Sequence, residues 1–133
     1  MDLGAVMDEV AELLATLTDL RVYAWPVEQA QPPAAIVAYP TAYTFDETYN
    51  RGMDRMTLPV VVLVGRAVDR TARDKLSSYV DGPASVKRTL ESGGPYQAFD
   101  TVRVGSPDFD IYELAANKYL AAIFDLDITG KGS

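Results

Sequence analysis

Residues 55–65 read RMTLPVVVLVG, and within them Val60-Val61-Val62-Leu63-Val64 is the most strongly β-prone run of the chain. β-Branched side chains crowd a helix but fit a pleated surface, so this segment reads as a long buried strand. Pro59 has no N–H to give to a ladder, which predicts that its nitrogen faces an edge or a bulge.

Working outward on the N-terminal side, residues 46–54 (DETYNRGMD) form a polar excursion, and Asn50-Arg51-Gly52 offers left-handed positions for a turn. Ala34 to Tyr39 is an apolar strand interrupted by Pro40, and Tyr43 and Phe45 continue in extended form. Residues 26–33 (PVEQAQPP) are a loop fenced by prolines, and Arg21 to Trp25 is a short strand halted by Pro26. Before it, Leu3, Val6, Met7, Val10, Leu13, Leu14 and Leu17 recur at helical spacing and predict an amphipathic first helix.

On the C-terminal side, Asp69 can cap a helix over 70–80 that buries Ala72, Leu76, Tyr79 and Val80, and Gly82-Pro83 breaks it. Ser85 caps a short helix carrying Val86 and Leu90, closed by Gly93-Gly94. Strands follow at 99–104 and 107–114, joined through Ala115-Ala116-Asn117 to a last strand. In that strand Leu120, Ala122, Phe124, Leu126 and Ile128 alternate with Tyr119, Ala121, Ile123, Asp125 and Asp127. Strands in two groups around a helical insert predict an α+β fold with a mainly antiparallel sheet, its first and central helices on one face. The expected organisation is one domain over 1–128 and a disordered tail over 129–133.

Composition narrows the chemistry. The 133 residues suit one domain and contain neither cysteine nor histidine, which removes thiolate chemistry and the commonest general base. A net charge of −7 repels phosphate backbones. The first residues lack the basic start of a signal peptide, and no apolar run reaches the roughly 20 residues of a membrane span. These features predict a protein made in the cytoplasm, with no membrane partner. Among 19 acids, the group Asp108, Asp110 and Glu113 is expected to be a solvated loop before a glycosidase pair or a calcium site. The glycines do not form a nucleotide-binding pattern. Arg51, Arg55, Arg66, Arg70 and Arg73 interleave with acids, which favours ion pairs with Asp54, Asp69 and Asp74 over a phosphate site. No catalytic residue, metal ligand or cofactor is assigned. Tyr43, Glu47, Tyr49, Arg51, Asp54 and Arg55 are candidate interface residues, since Tyr and Arg are enriched at interface hot spots. Asp125 and Asp127 share one face of the last strand and are candidates to line the lumen of an oligomer, repelling DNA that passes through it.

Taken together, the opening helix, LRVYAW at 20–25, PPAAIVAYP at 32–40, YNRGMDRMTLPVVVLVGRAVDRTARDKL at 49–76, GPASVKRTLE at 82–91 and the hairpin at 109–128 resemble the tail terminator proteins of long-tailed bacteriophages, above all those infecting actinobacteria. The resemblance spans nearly the whole chain, and RGMDRMTLPVVVLVGRAVDR is its most specific stretch. It implies a non-enzymatic virion protein: a homohexameric ring at the head-proximal end of the tail tube that stops tube polymerisation. The implied partners are the chain itself, the major tail tube protein and the head-completion proteins of the neck, with assembly in the host cytoplasm. The alternatives are another neck ring, a head-closure or adaptor protein, and more remotely a small acid-pair hydrolase.

Overall fold

The computed structural model describes residues 2–17, 20–25, 33–44, 53–66, 70–80, 85–114 and 117–131. Three helices, α1 (Leu3–Leu14), α2 (Arg70–Val80) and α3 (Val86–Glu91), accompany seven strands: β1 (Arg21–Tyr23), β2 (Ala34–Val37), β3 (Ala42–Thr44), β4 (Met53–Arg66), β5 (Thr101–Val104), β6 (Asp108–Leu114) and β7 (Asn117–Lys131). The sheet is antiparallel except between β1 and β2. It is the mixed, mostly antiparallel α/β architecture that the grouping of strands around a helical insert predicts.

Its spine is the pairing of β4 with β7, running from Met53 opposite Lys131 to Arg66 opposite Tyr119. Each remaining strand pairs with a member of this ladder except β1, which pairs with β2. On the outer side of β4, β2 pairs with 60–63 and β3 with 55–57. On the outer side of β7, β6 pairs with 117–123 and β5 with 126–129. One end of the sheet is therefore five strands wide, and its rows run straight across. Arg21, Ala34, Leu63, Ala121 and Asp110 form one row; Val22, Ala35, Val62, Ala122 and Phe109 the next; Tyr23, Ile36, Val61, Ile123 and Asp108 the third.

Strand alternation sends the even residues of β4 and β7 to one face. Met56, Leu58, Val60, Val62, Phe124, Leu126 and Ile128 meet Val6, Met7, Val10 and Leu14 of α1, Leu76 and Tyr79 of α2, and Val86 and Leu90 of α3 in one core. All three helices thus cover the same face. The opposite face holds a smaller cluster of Ile36, Val61, Leu63 and Ala121, with Tyr23, Tyr112, Tyr119 and Ile123 packed against it. No described helix lies there.

Local signals explain the boundaries. The Asp2 carboxylate accepts from the Ala5 N–H (3.2 Å) and caps α1, and the Ser85 hydroxyl accepts from the Arg88 N–H (3.2 Å) and caps α3 as expected. Pro59 behaves as its chemistry requires. Its carbonyl accepts from the Ala38 N–H (3.0 Å), so its missing N–H faces the break between β2 and β3 and spares the ladder to β7. The register shifts by one residue between Leu63 and Gly65, a bulge after which Gly65 takes φ 156°, a value open to glycine at little cost.

The structure departs from the sequence reading in four places. The extended stretch after Pro40 is a strand of its own, β3. Met53 and Asp54, read as the end of a polar loop, begin β4. Residues 129–131, assigned to a disordered tail, are the end of β7 and pair with Met53 to Arg55. Of the apolar stripe placed on α1, Leu3 is exposed and Leu13 and Leu17 are only partly buried, whereas Val6, Met7, Val10 and Leu14 are buried. Residues 46–52, Asp69, Gly82-Pro83 and Ala115-Ala116 lie outside the described residues. Val62 is fully buried in the central row, so Val62→Asp places an ionised carboxylate among apolar side chains at a cost of several kcal/mol. The variant is expected to show no cooperative melt by circular dichroism.

Candidate assembly surface

The residues singled out as interface candidates divide cleanly. Glu47, Tyr49 and Arg51 lie outside the described residues. Tyr43, Asp54 and Arg55 have intrachain roles. The Tyr43 hydroxyl donates to Asp54 Oδ2 (2.9 Å), and Asp54 is only 4% exposed on the helix-covered face beside Met56. Burial of the ring, then the Asp54 hydrogen bond and charge, holds the Tyr43 phenol above its ordinary pKa. The polar residue that reads as loop is thus a satisfied buried group at the start of the spine.

Arg55 lies on the other face and reaches Asp127, a residue 72 positions away, through both Nε (2.6 Å) and Nη2. The sequence reading, which paired the arginines with neighbouring acids, did not foresee this long-range partner. Among the arginines of that stretch, Arg73 does pair locally, its Nη2 lying 3.4 Å from Asp74. Asp127 also stands opposite Arg103 on β5. The acidic lining proposed for Asp125 and Asp127 is therefore half neutralised. Both lie on the open face, but Asp125 alone is an exposed carboxylate without a basic residue opposite it in the ladder, since its partners there are Pro59 and the Gly105 amide.

The acids of 108–113 are on a strand and do not converge. Asp108 and Asp110 point to the open face, and Glu113 points to the other, opposite Lys118. Among the described residues no group of three such side chains is arranged to hold a metal ion. Glu9 on α1 makes a contact that the apolar stripe of the helix did not single out. Its carboxylate accepts from the backbone N–H groups of Gln97 (3.0 and 3.1 Å) and Ala98 (2.8 Å), tying α1 to the segment before β5. A hollow beside this clamp is lined by Glu12, Leu13, Gly93 and Pro95. Nearby, Tyr96 stacks on Phe99 with ring centroids 4.6 Å apart and donates its hydroxyl to the Leu90 carbonyl.

Besides Tyr39 and Leu3, the exposed large apolar side chains among the described residues cluster at the rim of the five-strand end. Phe109 and Ile111 on β6 are 58% and 55% exposed, and Trp25 just after β1 is 59% exposed. Among the described residues β6 pairs only with β7 and β1 only with β2, so both outer edges keep unpaired main-chain groups. Comparison with protein-family models and with curated proteins finds no match to this chain.

Two substitutions separate the buried pair from the exposed one. Tyr43→Phe removes a hydrogen bond to a buried carboxylate and is expected to cost about 1–2 kcal/mol in denaturant titrations at neutral pH. Because the folded state holds the Tyr43 proton more tightly, that contribution is complete below the ordinary phenol value of about 10 and is lost as pH rises through the higher folded value. The gap between parent and variant should therefore narrow in strongly alkaline buffer. Arg55→Ala breaks an ion pair whose side chains are 47% and 35% exposed, and should cost no more than about 1 kcal/mol in the same titration.

Proposed function

We propose that this chain is a ring-forming structural protein of a long-tailed phage particle, a tail terminator that closes the head-proximal end of the tail tube and joins it to the neck proteins. The observation that carries the reading is the one-sided sheet with two bare edges. Among the described residues, helices cover one face, and at its wide end the sheet stops at β1 on one side and at β6 on the other, in the same rows. A subunit with two different edges suits head-to-tail association, and such contacts generate rings when the rotation closes. The sequence resemblance to tail terminators supplies the place of that ring in the particle.

The reading also accounts for the distribution of polar chemistry. Asp54, Glu9 and Asp127 are engaged in holding strands and helices together. A non-enzymatic ring protein needs such fasteners and needs soluble subunits before assembly, which a net charge of −7 favours. DNA would pass through the lumen without sequence-specific contact.

The test is electron microscopy of the purified protein, alone and mixed with tubes of the cognate tail tube protein. Annular particles, with a ring seated on one end of each tube and no further elongation, are the expected result. A protein that stays monomeric in both samples and leaves tube growth unchanged would contradict the reading.

A further inference from the structure

The two bare edges match each other in four independent respects, and the match specifies how copies join. The first is level. β1 and β6 occupy the same three rows, so a neighbour placed beside the sheet needs no shift along the strands to continue it. The second is direction. β1 runs parallel to β2, β2 and β4 are antiparallel, and so on through β7 to β6; the edges are antiparallel to one another, the better-paired arrangement.

The third is the main chain. The Arg21 N–H donates inward to the Pro33 carbonyl (3.1 Å), so in the alternating pattern of a strand Val22 turns its N–H and C=O outward. On the far side, the carbonyls of Asp125 and Thr129 accept from Gly105 (2.9 Å) and Asp100 (2.8 Å), so the odd residues of β7 bond toward β5 and β6. Asp108 and Asp110, opposite Ile123 and Ala121, are therefore turned inward, and Phe109 between them turns its N–H and C=O outward. Val22 and Phe109 share a row. Placed side by side, they form a hydrogen-bonded antiparallel pair with no group left over.

The fourth is side-chain chemistry. On the helix-covered face Val22 would meet Phe109, which is now 58% exposed. On the open face Arg21 would stand opposite Asp110, and Tyr23 opposite Asp108. Arg21 is exposed although it already has a contact within its own chain, and a guanidinium has five N–H donors to share.

We infer that copies of this chain assemble by β-augmentation, β1 of one copy adding antiparallel to β6 of the next, with Val22 on Phe109 and Arg21 on Asp110. The occupant of each edge is a second copy of the chain. This deepens the ring reading and rests on it only for closure: edges without a step give a ring, and a step would give a filament.

The cysteine-free sequence makes the test clean. Val22→Cys with Phe109→Cys should yield, on mild oxidation, a reducible ladder of interchain disulfides that neither single variant gives beyond a dimer. Arg21→Asp and Asp110→Arg should each keep the parent's circular dichroism and melt. Each should also raise the concentration for half-dissociation, by light scattering, at least about tenfold. The swapped pair, Arg21→Asp with Asp110→Arg, should recover most of the loss. Oligomers whose mass ignores both charge reversals and whose double-cysteine form gives no ladder would overturn the edge pairing and leave the ring reading standing. A ladder in a protein that fails to cap tail tubes would uphold the pairing and overturn the tail-terminator reading.

Discussion

Everything in this fold depends on the register of β4 against β7. Because side chains alternate strictly, a slip of one residue would carry Met56, Leu58, Val60 and Val62 from beneath the helices to the open face. The same ladder decides where the short strands go. Each of its outer sides carries two of them end to end, β2 and β3 on one, β5 and β6 on the other. Pro59 sits at the break between β2 and β3, and the bulge at Val64 lets β4 end without disturbing the rows above it.

The long apolar elements were legible in the sequence because their signal is local. The run Val60–Val64, the alternation of 119–128 and the stripe of α1 each identify an element without knowledge of its neighbours. What escaped was set by tertiary contact. Asp54 looks like loop because it is charged, yet Tyr43 lets it be buried in a strand. Residues 129–131 look like tail because Gly130 is a poor strand former, yet Met53 to Arg55 supply a ladder for them. Asp127 lies 72 residues from Arg55, a separation that no local charge pattern reveals. Of the candidate surface, the alternation placed Asp125 and Asp127 together on one face, but Arg55, which pairs with Asp127, and Arg103, which stands opposite it, belong to two other strands. The edge match was invisible for the same reason: Arg21 and Asp110 meet the same row only after three intervening strands are in register.

Edge strands are a hazard for a soluble chain, since unpaired main-chain groups beside apolar side chains invite indiscriminate pairing. Here each edge is guarded in a way that also encodes its partner. β6 sets Asp108 and Asp110 on either side of Phe109, and β1 is only three residues long with Arg21 at its start. A second β6 edge would bring acid toward acid, whereas β1 brings a cation and a neutral phenol. With a net charge of −7, copies repel at distances within the screening length of about 8 Å at physiological salt. Association must then be won by specific contacts.

The most direct test of this account is a cryo-electron microscopy reconstruction of the assembled protein at a resolution that traces the strands. The account predicts a closed ring in which the sheet passes without a break from β6 of one copy into β1 of the next, with the Cα atoms of Phe109 and the neighbouring Val22 about 5.5 Å apart. A ring closed through the helices, with both edges left facing solvent, would contradict it.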